Sequence, residues 1–216
     1  MKHRVVKSIA ATNLCGWLRT WYRDVGIVYI VRHPFAVATS LLSLDDLDTE
    51  RGRPGGWRHS TQRVSESHLM RLGLLQGPLA HRADQILAAC RDAEDRFDRI
   101  VLHWCLQNAA TLDDPPTGVP LGYFERVFSV RGGLGAVADH LGIELADDVL
   151  DQVSRPSATD FHAGGDRRIE ARVGNWVRDL EPERKRAGLR ILEQFGLRGF
   201  YDDGPLPLQP DKPRLP

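Results

Sequence analysis

Apolar and polar positions along the chain fall into blocks that predict an α/β order. Leu14, Trp17, Leu18, Trp21 and Tyr22 recur at i, i+3, i+4, i+7 and i+8, one face of an amphipathic helix with its cap near Thr12 or Asn13. Asp24-Val25-Gly26 ends that helix. Ile27 to Val31 is continuously apolar and rich in β-branched side chains, which predicts a strand buried on both faces. Pro34 then suits a helix start, where its missing N–H costs nothing. Val37, Ala38, Leu41 and Leu42 give that helix its apolar face. Arg4-Val5-Val6-Lys7 is a short strand candidate ahead of all of these. Strand, helix, strand and helix in such close succession form a βαβα unit, for which a parallel sheet is the expectation.

Residues 45–63 break the pattern. Asp45-Asp46, Gly52, Pro54 and Gly55-Gly56 show no period, and the stretch is read as a loop. Residues 66–89 are patchily helical. Asp92 to Thr111 reads as one long helix with Phe97, Val101, Trp104, Cys105 and Asn108 on a shared face. Val119 to Tyr123 is a weaker strand. Leu134, Val137, Ala138 and Leu141 mark a helix ended by Gly142. Residues 154–175 form a second long loop, basic at Arg167, Arg168 and Arg172. The last helix runs from Glu183 to Phe195, with Pro182 at its start and Gly196 at its end. The reading is one α/β domain over residues 1–202, followed by a Pro-rich tail over 203–216 with no core material, extended or disordered.

Composition narrows the function classes. With 216 residues the chain can bury one sizeable core. Lys plus Arg equals Asp plus Glu at 29 each, so a bulk polyanion such as duplex nucleic acid is excluded as the main partner. A small anionic ligand needs only a few local donors. No apolar run reaches the roughly 18–20 residues of a membrane span, and Met1-Lys2-His3-Arg4 does not lead into a signal peptide. Cys15, Cys90 and Cys105 are odd in number and lack metal spacing, which reads as reduced thiols of a cytoplasmic protein. No histidine pair has a third ligand at metal spacing, so no metal is expected.

The chemistry concentrates at the end of the apolar strand. An Arg there stands at the carboxyl edge of a parallel sheet, where open α/β sheets bind ligands. Ser40 lies eight residues beyond Arg32, on the helix that follows. A guanidinium and a hydroxyl can share one phosphate, the first supplying charge and a planar fork, the second a neutral donor. On spacing alone the pair also reads as a strand-end ion pair and an ordinary helix serine.

The run Val28-Tyr29-Ile30-Val31-Arg32-His33-Pro34, with Val37-Ala38-Thr39-Ser40 behind it, resembles the 3′-phosphate signature of sulfotransferases that use 3′-phosphoadenosine 5′-phosphosulfate. The resemblance implies a P-loop NTPase-like parallel sheet flanked by helices, with Arg32 and Ser40 holding the 3′-phosphate. Further matches fall in the same order. Lys7-Ser8 is similar to the family's Lys after its second strand, which makes Lys7 the one family-like residue near the transferred group. Trp104 and Asn108 resemble a Trp–Asn pair, and Tyr123-Phe124-Glu125 resembles a segment whose Tyr lies near the adenine. Arg155 to Thr159 is similar to a loop of bacterial members. Arg172-Val173-Gly174-Asn175-Trp176 with Leu180 to Glu183 resembles the closing nucleotide loop, so Arg172 and Gly174 join the implied cofactor site. The implied product is adenosine 3′,5′-bisphosphate, and the implied acceptor is a hydroxyl or amine on a small molecule, a glycan or a lipid.

Two family features are missing from the sequence. A phosphate loop of the Pro-Lys-Ser-Gly-Thr-Thr kind, which holds the 5′-phosphosulfate at a helix N-terminus, has no counterpart before Thr12. The usual His beyond the Lys-Ser pair is replaced by Ile9, Ala10 and Ala11. His33, His59 and His103 are the alternatives for a base, each read first as a surface or core side chain. The domain is therefore expected to be incomplete at its N-terminus. Three outcomes stay open: a sulfotransferase completed by an upstream segment or another chain, a non-catalytic phosphoadenosine-binding domain, or an inactive truncated remnant. A sheet lacking a strand is also expected to self-associate through its exposed edge.

Overall fold

The computed structural model describes residue 8, residues 12–50, 69, 77, 79–129, 132–146, 149 and 173–208. A 3-10 turn at Thr12–Leu14 opens into α1 (Cys15–Trp21). Strand β1 (Tyr29–Val31) runs into α2 (Pro34–Glu50), and a second 3-10 turn, Ala80–Arg82, leads into α3 (Ala83–Asp92) and α4 (Arg96–Asp113). Strand β2 (Leu121–Tyr123) passes directly into α5 (Phe124–Ser129), followed by α6 (Gly133–Leu141), α7 (Asn175–Asp179) and α8 (Pro182–Gln194). The described part is mostly helical around a small parallel sheet.

β1 and β2 pair in parallel, Tyr29 opposite Leu121, Ile30 opposite Gly122 and Val31 opposite Tyr123. The crossover between them contains α2, α3 and α4, as a parallel connection requires. α4 is the central helix: eleven of its eighteen residues are buried, beyond the single stripe of a surface helix. It packs against both α2 and α8. All five residues assigned to its shared face are buried.

Several sequence readings are corrected. The face predicted for the first helix is turned outward. Leu14, Trp17, Trp21 and Tyr22 are exposed, Trp21 at 69%, and Cys15 is the buried residue of α1. Only seven residues long, α1 docks through its Cys15 side, so an apolar stripe alone did not settle which side meets the core. β1 is not enclosed on both faces, because Ile30 is 40% exposed. Residues 45–50, assigned to a loop, are helical: α2 runs to Glu50, since the acidic stretch contains no helix breaker before Gly52. The long helix expected over 92–111 stands as α4 but starts four residues later, at Arg96, with Asp92 closing α3. Asp95 caps α4, its carboxylate accepting the Asp98 N–H at 2.8 Å. The helix ends at Gly142 and Gly196 stand as expected, with φ of 63° and 72°.

Part of the Pro-rich tail is held. The Leu208 N–H donates to the Phe200 carbonyl at 2.9 Å, and an Arg126 guanidinium nitrogen donates to the Pro207 carbonyl at 3.2 Å. The first strand candidate, at 4–7, most of the predicted loops at 45–63 and 154–175, and the last eight residues of the tail lie outside the described residues. No helix among the described residues is long and apolar enough to cross a membrane. Cys15, Cys90 and Cys105 are buried and unbridged, and burial pushes the Cys90 thiol up to about 11.

Candidate functional site

The carboxyl ends of the parallel strands bring Arg32 and Tyr123 to one edge of the sheet. Arg32 is half-buried, and its guanidinium carbon lies 5.0 Å from the centroid of the Phe124 ring. Phe124 in turn packs on Phe128 at 4.6 Å. An aromatic face under a guanidinium steadies its plane. Ser40 is half-buried on the second turn of α2.

The peptide that follows Arg32 is bound at both ends. Trp104 Nε1–H donates to the Arg32 carbonyl at 3.1 Å, and the His33 N–H donates to Glu125 Oε1 at 2.7 Å. Trp104 comes from α4 and Glu125 from α5, and both are buried. Asn108 supports the first of these. Its amide donates to the Trp104 carbonyl at 2.6 Å, and its oxygen accepts from the Tyr29 hydroxyl on β1. The Trp–Asn pair picked out by resemblance therefore ties α4 to β1.

His33 is fully buried in an aromatic cage. It stacks on Trp176 at 4.3 Å, with Tyr201 at 4.7 Å and Phe35 at 5.1 Å presented edge-on. Its Nδ1 accepts the Phe35 N–H at 3.1 Å, so the imidazole caps the start of α2, and its Nε2 meets the Asp202 carbonyl at 3.2 Å. An acceptor at Nδ1 and a carbonyl at Nε2 define the neutral ring with its proton on Nε2. Burial holds the imidazole down at about 3, with the Arg32 charge adding to it and the Asp202 carbonyl opposing it. His33 is thus an insulated capping residue with both nitrogens engaged, which removes it as a candidate base.

Glu125 is the charged group that sequence reading passed over. Burial raises its carboxyl, while the His33 N–H, the Arg32 charge and Tyr201 pull it back. The Tyr201 hydroxyl faces this carboxylate, and burial with that negative neighbour pushes the phenol well above its ordinary range. The available signal was a carboxylate two residues after a predicted strand end, opposite a strand that ends in Arg.

The remaining predicted residues fall in different places. Tyr123 is buried, its ring 5.8 Å from Tyr201 within the core. Gly174 is the residue before α7, and a β-carbon there would stand 3.4 Å from Pro205. Lys7 and Arg172 lie outside the described residues. Among the described residues no cluster of His, Cys, Asp or Glu is arranged to hold a metal ion. No family model matches the chain, and no curated protein or solved structure matches it either.

Proposed function

We propose that the sheet edge at Arg32 reads a phosphate monoester, and that the chain is a sulfotransferase-type domain of the P-loop NTPase-like fold. One observation carries the reading. The Arg32 guanidinium leaves the carboxyl end of a parallel strand from a peptide held on both sides, just where α2 begins. Such an edge is where α/β sheets collect anionic ligands. Arg32 and Ser40 supply a charged fork and a hydroxyl, a donor set that suits a phosphate dianion. The enclosed ring of Tyr123 fits an adenine neighbour less well.

In this reading Arg32 and Ser40 hold the 3′-phosphate of 3′-phosphoadenosine 5′-phosphosulfate. That cofactor supplies an activated sulfuryl group for a hydroxyl or amine acceptor. Lys7, Arg172 and Gly174 keep the roles that the resemblance implies. A second reading, a phosphoadenosine-binding domain without turnover, is favoured by the full engagement of both His33 nitrogens.

Titration calorimetry with adenosine 3′,5′-bisphosphate and adenosine 5′-monophosphate separates these readings. Binding of the bisphosphate that is lost in Arg32→Ala, together with sulfur-35 transfer to an acceptor panel, supports the enzyme. The same binding without transfer supports the second reading. Absence of bisphosphate binding by the full chain sinks both.

A further inference from the structure

We propose that Glu125 and Trp104 are positioning residues that aim Arg32 before any ligand arrives, an inference that rests on reading Arg32 as the anion contact. The geometry is a clamp on one peptide unit. The Arg32 carbonyl is bound by the Trp104 indole and the adjoining His33 N–H by the Glu125 carboxylate. A peptide unit is planar, so fixing its oxygen and its hydrogen fixes its orientation. That orientation sets the direction in which the Arg32 side chain leaves β1 and the direction in which α2 starts.

Three features make the clamp stiff. Its two arms come from elements far apart in the chain, 72 and 92 residues from their partners. Both arms are buried, where a broken hydrogen bond leaves an unsatisfied group. The His33 ring locks the next turn by accepting the Phe35 N–H. The groups facing Glu125 are Arg32 and His33 from the β1–α2 corner and Tyr201 from the segment after α8. Arg32 therefore has less freedom to lose on meeting an anion, and preorganisation of this kind raises affinity without a new contact.

The test follows Arg32 itself. Nitrogen-15 relaxation of the Arg32 Nε–H group and hydrogen exchange of the His33 amide are measured in the wild type, Glu125→Gln, Glu125→Ala and Trp104→Phe. Calorimetry with adenosine 3′,5′-bisphosphate runs on the same proteins. The clamp predicts an ordered Arg32 and a slow His33 amide in the wild type. Glu125→Gln keeps an acceptor oxygen and restores both. Trp104→Phe and Glu125→Ala free the side chain, speed the exchange and weaken the bisphosphate about tenfold. An Arg32 that is equally ordered in Trp104→Phe, or one that is freed yet binds as tightly, overturns the clamp. If Glu125→Ala does not fold, Trp104→Phe against Glu125→Gln still decides. An Arg32 ordered by the clamp in a protein that ignores the bisphosphate overturns the phosphoadenosine reading alone.

Discussion

Gly188 on α8 lies directly against the ring of Phe35 at the start of α2. A methyl group at position 188 would stand 2.8 Å from Phe35 Cζ and 3.3 Å from Phe97 Cε1. The glycine lets α8 approach the corner that carries Arg32 and His33.

Gly188→Ala is therefore expected to destabilise. Alanine in a helix ordinarily gains about 1 kcal/mol over glycine, but forcing a methyl into this contact costs roughly 1–3 kcal/mol. Gly135 on α6 is the control, because a β-carbon there meets nothing within 4 Å. Urea denaturation should show Gly135→Ala at or above the wild type and Gly188→Ala below it. Equal gains in both would contradict the close approach.

The neutral, caged His33 gives acid conditions a specific cost. Its folded-state value of about 3 lies below the ordinary 6.5. The unfolded chain therefore takes up a proton that the folded chain refuses, so stability is complete above 6.5 and falls as pH drops toward 3. The slope is at most roughly 1.4 kcal/mol per pH unit. His33→Asn keeps a capping oxygen and removes the titration. The wild type's advantage over that variant should shrink by roughly 3 kcal/mol between pH 6.5 and pH 4. A constant gap across this range would show that His33 is not insulated.

Asp98 acts in the opposite sense. Burial first, then the neighbouring Asp95, raise its carboxyl to about 6, against the pull of Arg190 and Arg184. Its contribution is present below 3.8 and lost as pH rises through 6. Asp98→Asn should gain on the wild type above pH 6 and lose that gain near pH 4, read as the difference in Tm at the two values.

Tyr29→Phe tests the link between β1 and α4. Removing the hydroxyl leaves the buried Asn108 oxygen without its donor, which costs roughly 1–3 kcal/mol. The double variant Tyr29→Phe, Asn108→Leu should recover part of the loss, because both polar partners are then gone. Equilibrium unfolding of the three variants measures the coupling.

Short-range chemistry was legible in the sequence. Pro34 and Pro182 open helices, Gly142 and Gly196 close them, and the run into Arg32 is a strand that enters a helix directly. What was not legible depends on partners distant in the chain. The stripe of Trp17 and Trp21 looked like a core face because period reports amphipathicity and not which side is covered. Arg32 was visible as a strand-end cation, but the bonds on the peptide beside it come from α4 and α5. Glu125 was passed over because a lone carboxylate on a short helix carries no pattern until folding sets it against His33. His33 looked like a possible base until its ring proved to be a helix cap.

The uneven placing of the indoles has a spectroscopic consequence. Trp17 and Trp21 stand in water, whereas Trp104 and Trp176 are enclosed, one on the Arg32 carbonyl and the other on the His33 ring. An aqueous quencher such as iodide reaches the first pair and is kept from the second. The light that survives quenching from these four originates beside Arg32 and His33, so this corner of the protein carries its own optical label.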